Sequence, residues 1–506
     1  MVTVERRRTW WGLLTLAGGV LALYLPVLSF ELMGDDFLLV QLAHAARHDW
    51  RMLFAALDTF YRPSTTWTLV LDWVLWGHSA GGYHLTNLLL RIGNAALLVF
   101  VTRRIGFGSL ASWAVALVWA CSPFSAEPVY VVGARIDELL TASWLTLVLA
   151  WPRRGETWTS GRLAVVTIAV MAAAFTKETW VVTVCLVVVL ELVQHAGTLR
   201  RALVSALPVA GLTVVYVALH FVFLPGGKGY FTWSLSPLAK IPHEMAAFLY
   251  LEPLVPLAFR TSLMGFVGLA VVASVGFLVW RYDRVPAAVG VGLLLLPQIP
   301  TLLVAYLPSR YTSIPYIGFL LLVASGIRLA CTGLTGIPRR AAMCTSVFLG
   351  VIVTVAGVLT VRADLNDMRR VSDAHARLLD EARAALAQFP LRRPVLVVRQ
   401  ESDNPLRDIT TSPLGMPKLF FPRHADPYAL IDAGALFDWV LEREGIVVRR
   451  FDDGEVRFKD SAGAVLAHRA GGFVWLSMDA ARLGELARQM RKAGLHTRVI
   501  FAGTLH

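Results

Sequence analysis

Apolar blocks recur along most of this chain, and they run longer than a soluble fold requires. Stretches such as LAVVTIAVMAAAF and VVTVCLVVVLELV return from near the start to about residue 361. About 20 apolar residues cross the hydrocarbon core of a bilayer, and no soluble core uses so many such segments. The composition agrees: 56% of residues are hydrophobic and 16% charged, where soluble domains have about 45–50% and about 25%. The mean hydropathy is +0.60. These features predict an α-helical polytopic membrane protein.

The net charge of +12 does not point to nucleic acid. The basic residues fall in pairs between apolar blocks, a topology signal and not a stripe for a phosphate backbone. The four cysteines, Cys121, Cys185, Cys331 and Cys344, lie in or beside apolar segments. They read as small buried hydrophobes, with no metal-ligand spacing among them. Arg6-Arg7-Arg8 precedes an apolar run that ends without a small-residue cleavage site, so this reads as an uncleaved first span.

Arginine pairs set the orientation. Placing Arg6-Arg7-Arg8, Arg103-Arg104, Arg153-Arg154, Arg200-Arg201, Arg281 with Arg284, and Arg339-Arg340 in the cytoplasm satisfies the positive-inside bias. Spans then fall near 10–30, 83–102, 109–126, 137–152, 162–176, 179–197, 202–224, 263–281, 286–306, 314–331 and 342–361, about eleven in all. The N-terminus is inside and the C-terminus outside. Residues 65–77 carry Asp72 and are short for a span, so they read as an interfacial helix in the first outer loop.

Beyond residue 361 the composition changes. An amphipathic helix from Asp364, ended by Pro390, is followed by strand-like runs (RPVLVV, IVVRRF, EVRFKD, FVWLSM, TRVIFA) and two helical runs. This divides the chain into a transmembrane domain, 1–361, and a small α/β periplasmic domain, 362–506, read as a packing or acceptor-docking module.

The chemistry-bearing residues gather at the outer loops and their edges. Asp35-Asp36 follows the first span. Adjacent like charges raise at least one carboxyl pKa, which suits a base, although a solvated loop edge or helix cap would use the same pair. Arg62-Pro63 opens the interfacial helix. His84, Asn87 and Arg91 are spaced to share one helix face. Arg91 lies at membrane depth and requires a partner or a wet cavity. Glu127, Arg135 and Asp137 sit at the outer end of a helical hairpin, Lys177-Glu178 in an outer turn, and Arg310-Tyr311 before the tenth span. Arg135, Lys177 and Arg310 on one side of the membrane suggest an anion clamp, since guanidinium groups match phosphate bidentately.

This ordered set (Asp35-Asp36, Arg62-Pro63, His84-xx-Asn87, Pro123-xxx-Glu127, Gly133-x-Arg135-x-Asp137, Lys177-Glu178, Arg310-Tyr311) resembles the GT-C polytopic glycosyltransferases. The nearest likeness is the transmembrane O-mannosyltransferase family with tetratricopeptide repeats and its bacterial relatives. It covers roughly residues 10–330; the repeats are absent here, replaced by the α/β domain. The resemblance implies sugar transfer from a polyprenyl-phosphate carrier to an acceptor on the periplasmic face of a bacterial inner membrane. The acceptor would be a hydroxyl of protein, lipid or polysaccharide. It implies a base from the acidic pair, Asp35 before Asp36, and inversion at the sugar. Arg310, Arg135 and Lys177 would hold the phosphate. Arg62, His84, Asn87, Arg91, Glu127, Asp137, Glu178 and Tyr311 would contact sugar or orient the cations. No metal is obligatory in this reading, with a divalent ion on the acidic pair as the alternative. Competing functions are a polysaccharide ligase or polymerase using a pyrophosphate-linked glycan, a lipid-linked glycan transporter, and a non-catalytic scaffold.

Overall fold

A computed structural model describes residues 2–33, 36–54, 61–194, 198–223, 248, 283–301, 309–332, 336–387, 395–399, 447–449, 462–469, 472–479 and 501–503. Asp35, the expected span at 263–281, the EVRFKD run and the two C-terminal helical runs lie outside these residues.

The described helices are α1 (Val2–Tyr24), α2 (Asp36–His48), α3 (Pro63–Trp76), α4 (Ala80–Arg104), α5 (Ser109–Ala120), α6 (Glu127–Tyr130), α7 (Arg135–Ala150), α8 (Ser160–Ala174), α9 (Thr183–Gln194), α10 (Leu199–Phe223), α11 (Arg284–Leu295), α12 (Gln298–Thr301), α13 (Ser313–Thr332) and α14 (Gly336–Ala387). Among the described residues, five helical stretches are long and apolar enough to cross a membrane: Thr9–Ser29, Ala80–Arg104, Leu199–Ala218, Arg310–Thr332 and Arg340–Asp373. Shorter apolar helices, Ser109–Ala120, Ser160–Ala174 and Arg284–Pro300, occupy further expected spans.

The molecule turns apolar side chains outward and charge inward. Val214 on α10, Ile168 on α8 and Phe348 on α14 are exposed, while Arg91, Arg135 and Glu138 are buried. That inversion suits a lipid surround, where charged groups face the bundle interior. The cysteine expectation is corrected by the same logic. Cys121 alone is buried; Cys185 and Cys344 are exposed on apolar helices, where a thiol tolerates contact with lipid as well as protein.

The stretch expected as an interfacial helix forms a helix, α3. Pro63 opens it, at a position where a missing N–H costs nothing. Gly77 closes it with φ +56, a conformation that suits glycine. Leu69, Asp72 and Trp73 face inward, and Leu71, Val74 and Leu75 face out. Its 14 residues reach about 21 Å, less than a bilayer core of about 30 Å. The sequence did not suggest α2, which precedes it in the same loop.

At the C-terminal side, α14 continues unbroken through residues 336–387. The division drawn at 361/362 therefore falls inside one helix. The described strands are β1 (Val395–Arg399), β2 (Val447–Arg449), β3 (Ala462–Arg469), β4 (Gly472–Asp479) and β5 (Phe501–Gly503). β3 runs parallel to β1 and antiparallel to β4, and β2 pairs antiparallel with β5. β3 was not among the expected strands.

α11 and α13 approach closely through Gly290 and Gly318. A Cβ on Gly318 would stand 2.5 Å from the Gly290 carbonyl oxygen and 2.8 Å from the Leu293 carbonyl carbon. Small residues at such crossings let membrane helices pack backbone to backbone. Gly318→Leu is expected to lower thermal stability in detergent by about 1–3 kcal/mol through overpacking. Gly326→Leu, with nothing within 4 Å, is the matched control and should leave the midpoint unchanged.

Candidate active site

The first turn of α7 carries Arg135, Asp137 and Glu138, and each side chain leaves in a different direction. Successive helical residues are about 100° apart, so adjacent charges serve different neighbours.

Glu138 turns to α4. Its Oε1 lies 2.8 Å from Arg91 Nη2, both side chains being at most 1% exposed. Asn94 Nδ2 donates to Glu138 Oε2 at 2.6 Å and to its carbonyl at 2.9 Å. The Arg91 guanidinium rests 4.4 Å from the Trp119 ring centroid. The partner that Arg91 required is therefore a carboxylate that the sequence reading had passed over in favour of its neighbour, Asp137.

Arg135 turns to α3, where its Nη2 meets Asp72 Oδ2 at 2.6 Å. Thr86 donates to the other Asp72 oxygen at 2.7 Å. Arg135 also donates to the Tyr83 carbonyl at 3.3 Å. The side chain is fully buried. The structure thus separates Arg135 from Lys177 and Arg310, with which it was grouped, and makes it the anchor of α3.

Asp137 receives the other two cations. Lys177 Nζ pairs with its Oδ1, and Arg310 Nε lies 3.6 Å from its Oδ2. Arg310 also grips Glu127, through its backbone N–H at 2.9 Å and Nη1 at 2.5 Å. Lys177 stands 3.7 Å from the centroid of the Tyr311 ring, and Arg310 stands 5.7 Å from it. Arg62 completes the group through a two-pronged bond to Glu178, Nε to Oε1 at 3.0 Å and Nη2 to Oε2 at 2.7 Å. A backbone bond from Ser64 to the Phe175 carbonyl, 2.9 Å, holds the start of α3 against the turn carrying Lys177. Lys177 lies in that turn, outside the flanking spans. Burial lowers its pKa to about 8, against the opposing pull of Asp137. Burial also opposes the charge on Arg62, but the Glu178 carboxylate beside it keeps its pKa above the ordinary arginine value.

Exposure in this cluster is uneven. Arg310 is 23% exposed while its partner Glu127 is 3% exposed. The accessible side of that pair is cationic, with the carboxylate behind it.

His84 and Asn87 are buried on the face shared with Arg91. Asn87 Nδ2 donates to the Pro128 carbonyl at 2.7 Å, and His84 Nδ1 lies 3.4 Å from the Val129 carbonyl. Both contact the short segment that carries Glu127. Asp36 is also buried. Its carboxylate accepts from the N–H groups of Met33 (3.1 Å), Val132 (3.1 Å) and Gly133 (2.6 Å). Gly133 leaves room there: a Cβ would lie 2.5 Å from Leu39 Cδ1, at the tip of a side chain that would have to turn away, and 3.3 Å from Asp36 Oδ1. Asp36 is therefore anchored just ahead of the first turn of α7.

No protein-family model matches the chain, and a search of curated proteins finds no match. Solved structures do. ArnT from Cupriavidus metallidurans in the apo state is similar over 98% of both chains, with a TM-score of 0.52 and 14% identity. The same enzyme bound to undecaprenyl phosphate gives 0.51 and 14% over the same shares. The fold is GT-C-like. At this identity the likeness establishes architecture, and the roles of individual residues rest on the geometry above.

A buried ion pair is costly to break and often neutral to replace as a unit. Arg91→Leu should strand Glu138 and cost about 3–5 kcal/mol of stability. Arg91→Leu with Glu138→Leu should recover most of that loss, measured by thermal unfolding of the two single variants and the double variant.

Proposed function

We propose that this protein is a membrane glycosyltransferase that moves a sugar from a polyprenyl-phosphate carrier to an acceptor hydroxyl at the periplasmic face of a bacterial inner membrane. The observation that carries the reading is the cluster of Arg62, Lys177 and Arg310 around Tyr311, with its partly exposed guanidinium groups. It gathers at the end of the bundle opposite Arg103-Arg104, one helical turn from the anchor of the acidic segment. The GT-C-like fold shared with an enzyme solved with undecaprenyl phosphate supports it.

In this reading the acceptor oxygen attacks the anomeric carbon. The bond from that carbon to the phosphate oxygen breaks, and its electron pair leaves with the polyprenyl phosphate. Fixed cations stabilise the charge that develops there. Arg310 and Arg62 supply planar donors matched to a phosphate, with Lys177 as a third charge behind them. The acceptor proton passes to a carboxylate within hydrogen-bond reach. Both Asp36 oxygens accept backbone N–H groups, which lowers its basicity, and we assign the base to Asp35 before Asp36. A single displacement inverts the sugar. Arginine and lysine carry the neutralising charge, so the reaction has no obligatory metal.

The ion pair near the middle of α4 bears on the transport alternative. Arg91 and Glu138 are sealed from any path, at 0% and 1% exposure, whereas a transporter site at that depth lines a cavity. The accessible charges sit at the end of the bundle, which favours chemistry there.

The test is release of polyprenyl phosphate, followed by mass spectrometry, from a panel of polyprenyl-monophosphate sugars with membrane extract as acceptor source. One donor should be consumed, and Asp35→Asn should slow its consumption by about 10²–10⁴-fold, the contribution of a general base. Consumption of pyrophosphate-linked donors alone would favour a ligase or polymerase, and consumption of none would contradict the proposal.

A further inference from the structure

The outer half of α14 is built as a contact face. Val361, Leu365, Met368 and Val371 enter the core, with Ser372 buried beside them. Serine and threonine inside a helix ordinarily bond the carbonyl four residues back. Ser346, Thr354 and Thr360 on α14 do so, donating to Ala342, Gly350 and Ala356 at 2.7–2.9 Å. Ser372 instead reaches another element. Its Oγ accepts the backbone N–H of Glu31 at 2.7 Å, across 341 residues of sequence.

Glu31 lies where the chain leaves the first span and approaches the acidic pair. The same short stretch is gripped from a second side. The His84 ring lies against the Glu31 backbone and meets the Phe30 ring edge-on, with centroids 6.2 Å apart. Two residues further on, Met33 N–H is held by Asp36, whose carboxylate also grips Val132 and Gly133 at the entrance to α7. The stretch is therefore fixed at Glu31 by α14 and at Asp36 by the α7 entrance.

We infer that Ser372 is a positioning residue for sugar transfer: its hydroxyl holds the backbone at Glu31, on the stretch that leads into Asp36 and its anchor at the entrance to α7. The inference rests on the proposed transfer reading for its catalytic consequence, and on the Ser372–Glu31 bond for its physical content. It also links α14, the helix that runs on toward the C-terminal strands, to the catalytic segment. A serine on a distant helix acts here without touching the reacting atoms.

The experiment uses the full-length protein in detergent and compares wild type, Ser372→Ala and Ser372→Thr. Amide hydrogen exchange is read on the peptide spanning residues 30–33. Losing one hydrogen bond should speed exchange there about tenfold in Ser372→Ala, and Ser372→Thr should restore protection. In the transfer assay Ser372→Ala should lower kcat with KM unchanged, and Ser372→Thr should recover it. Unchanged exchange in Ser372→Ala overturns the inference, as does faster exchange with unaltered kcat. A wild-type protein silent toward every donor counts against the transfer reading and not against the Ser372 clamp, which the exchange arm decides alone.

Discussion

Everything near the proposed site depends on the first turn of α7, where Arg135, Asp137 and Glu138 are buried and each is paired with an opposite charge on another element. Removing a charge from water costs several kcal/mol unless a partner and good geometry offset it. The three pairs draw α3, the Lys177 turn and α4 toward one point on α7. An unpaired charge at any of these positions would be far more expensive than the pair, so the elements are held in register by the penalty for separating them. Hydrophobic packing alone specifies less in a bilayer, where the surrounding lipid is as apolar as the core.

That arrangement leaves one group of charges partly open. Arg135 with Asp72 and Arg91 with Glu138 are closed pairs, fully inside. Arg62 and Arg310 are about one-fifth exposed. The closed pairs hold the elements in register, and in the proposed reading the open guanidinium groups meet the donor phosphate. Lys177 and Arg310 both approach the Tyr311 ring and share the Asp137 carboxylate, which offsets the repulsion between them. Asp36, beside the proposed base, accepts backbone N–H groups at the entrance to α7.

Much of this was legible in the sequence because membranes impose simple rules. The apolar blocks and arginine pairs foretell the helices, and the burial of Arg91 at bilayer depth demanded a partner. The His84, Asn87 and Arg91 face appears as the 3.6-residue repeat requires. The sequence did not disclose which cation meets which carboxylate. Arg135 and Lys177 look alike as outer-face cations, yet one answers Asp72, 63 positions earlier, and the other answers Asp137, 40 positions earlier. Glu138 was hidden by its neighbour, since adjacency in sequence conceals divergence on a helix. Ser372 gave no local signal, because its partner is a backbone N–H and not a side chain. α14 crosses the expected boundary because its pattern changes from apolar to amphipathic without a helix breaker between.

A structure of the protein with a polyprenyl-monophosphate sugar bound would test the account most directly. The phosphate should lie against Arg310 and Arg62, with Lys177 behind, and Arg135 should remain on Asp72. A phosphate bound at Arg135, with its pair to Asp72 broken, or one seated away from the Tyr311 cluster, would contradict it.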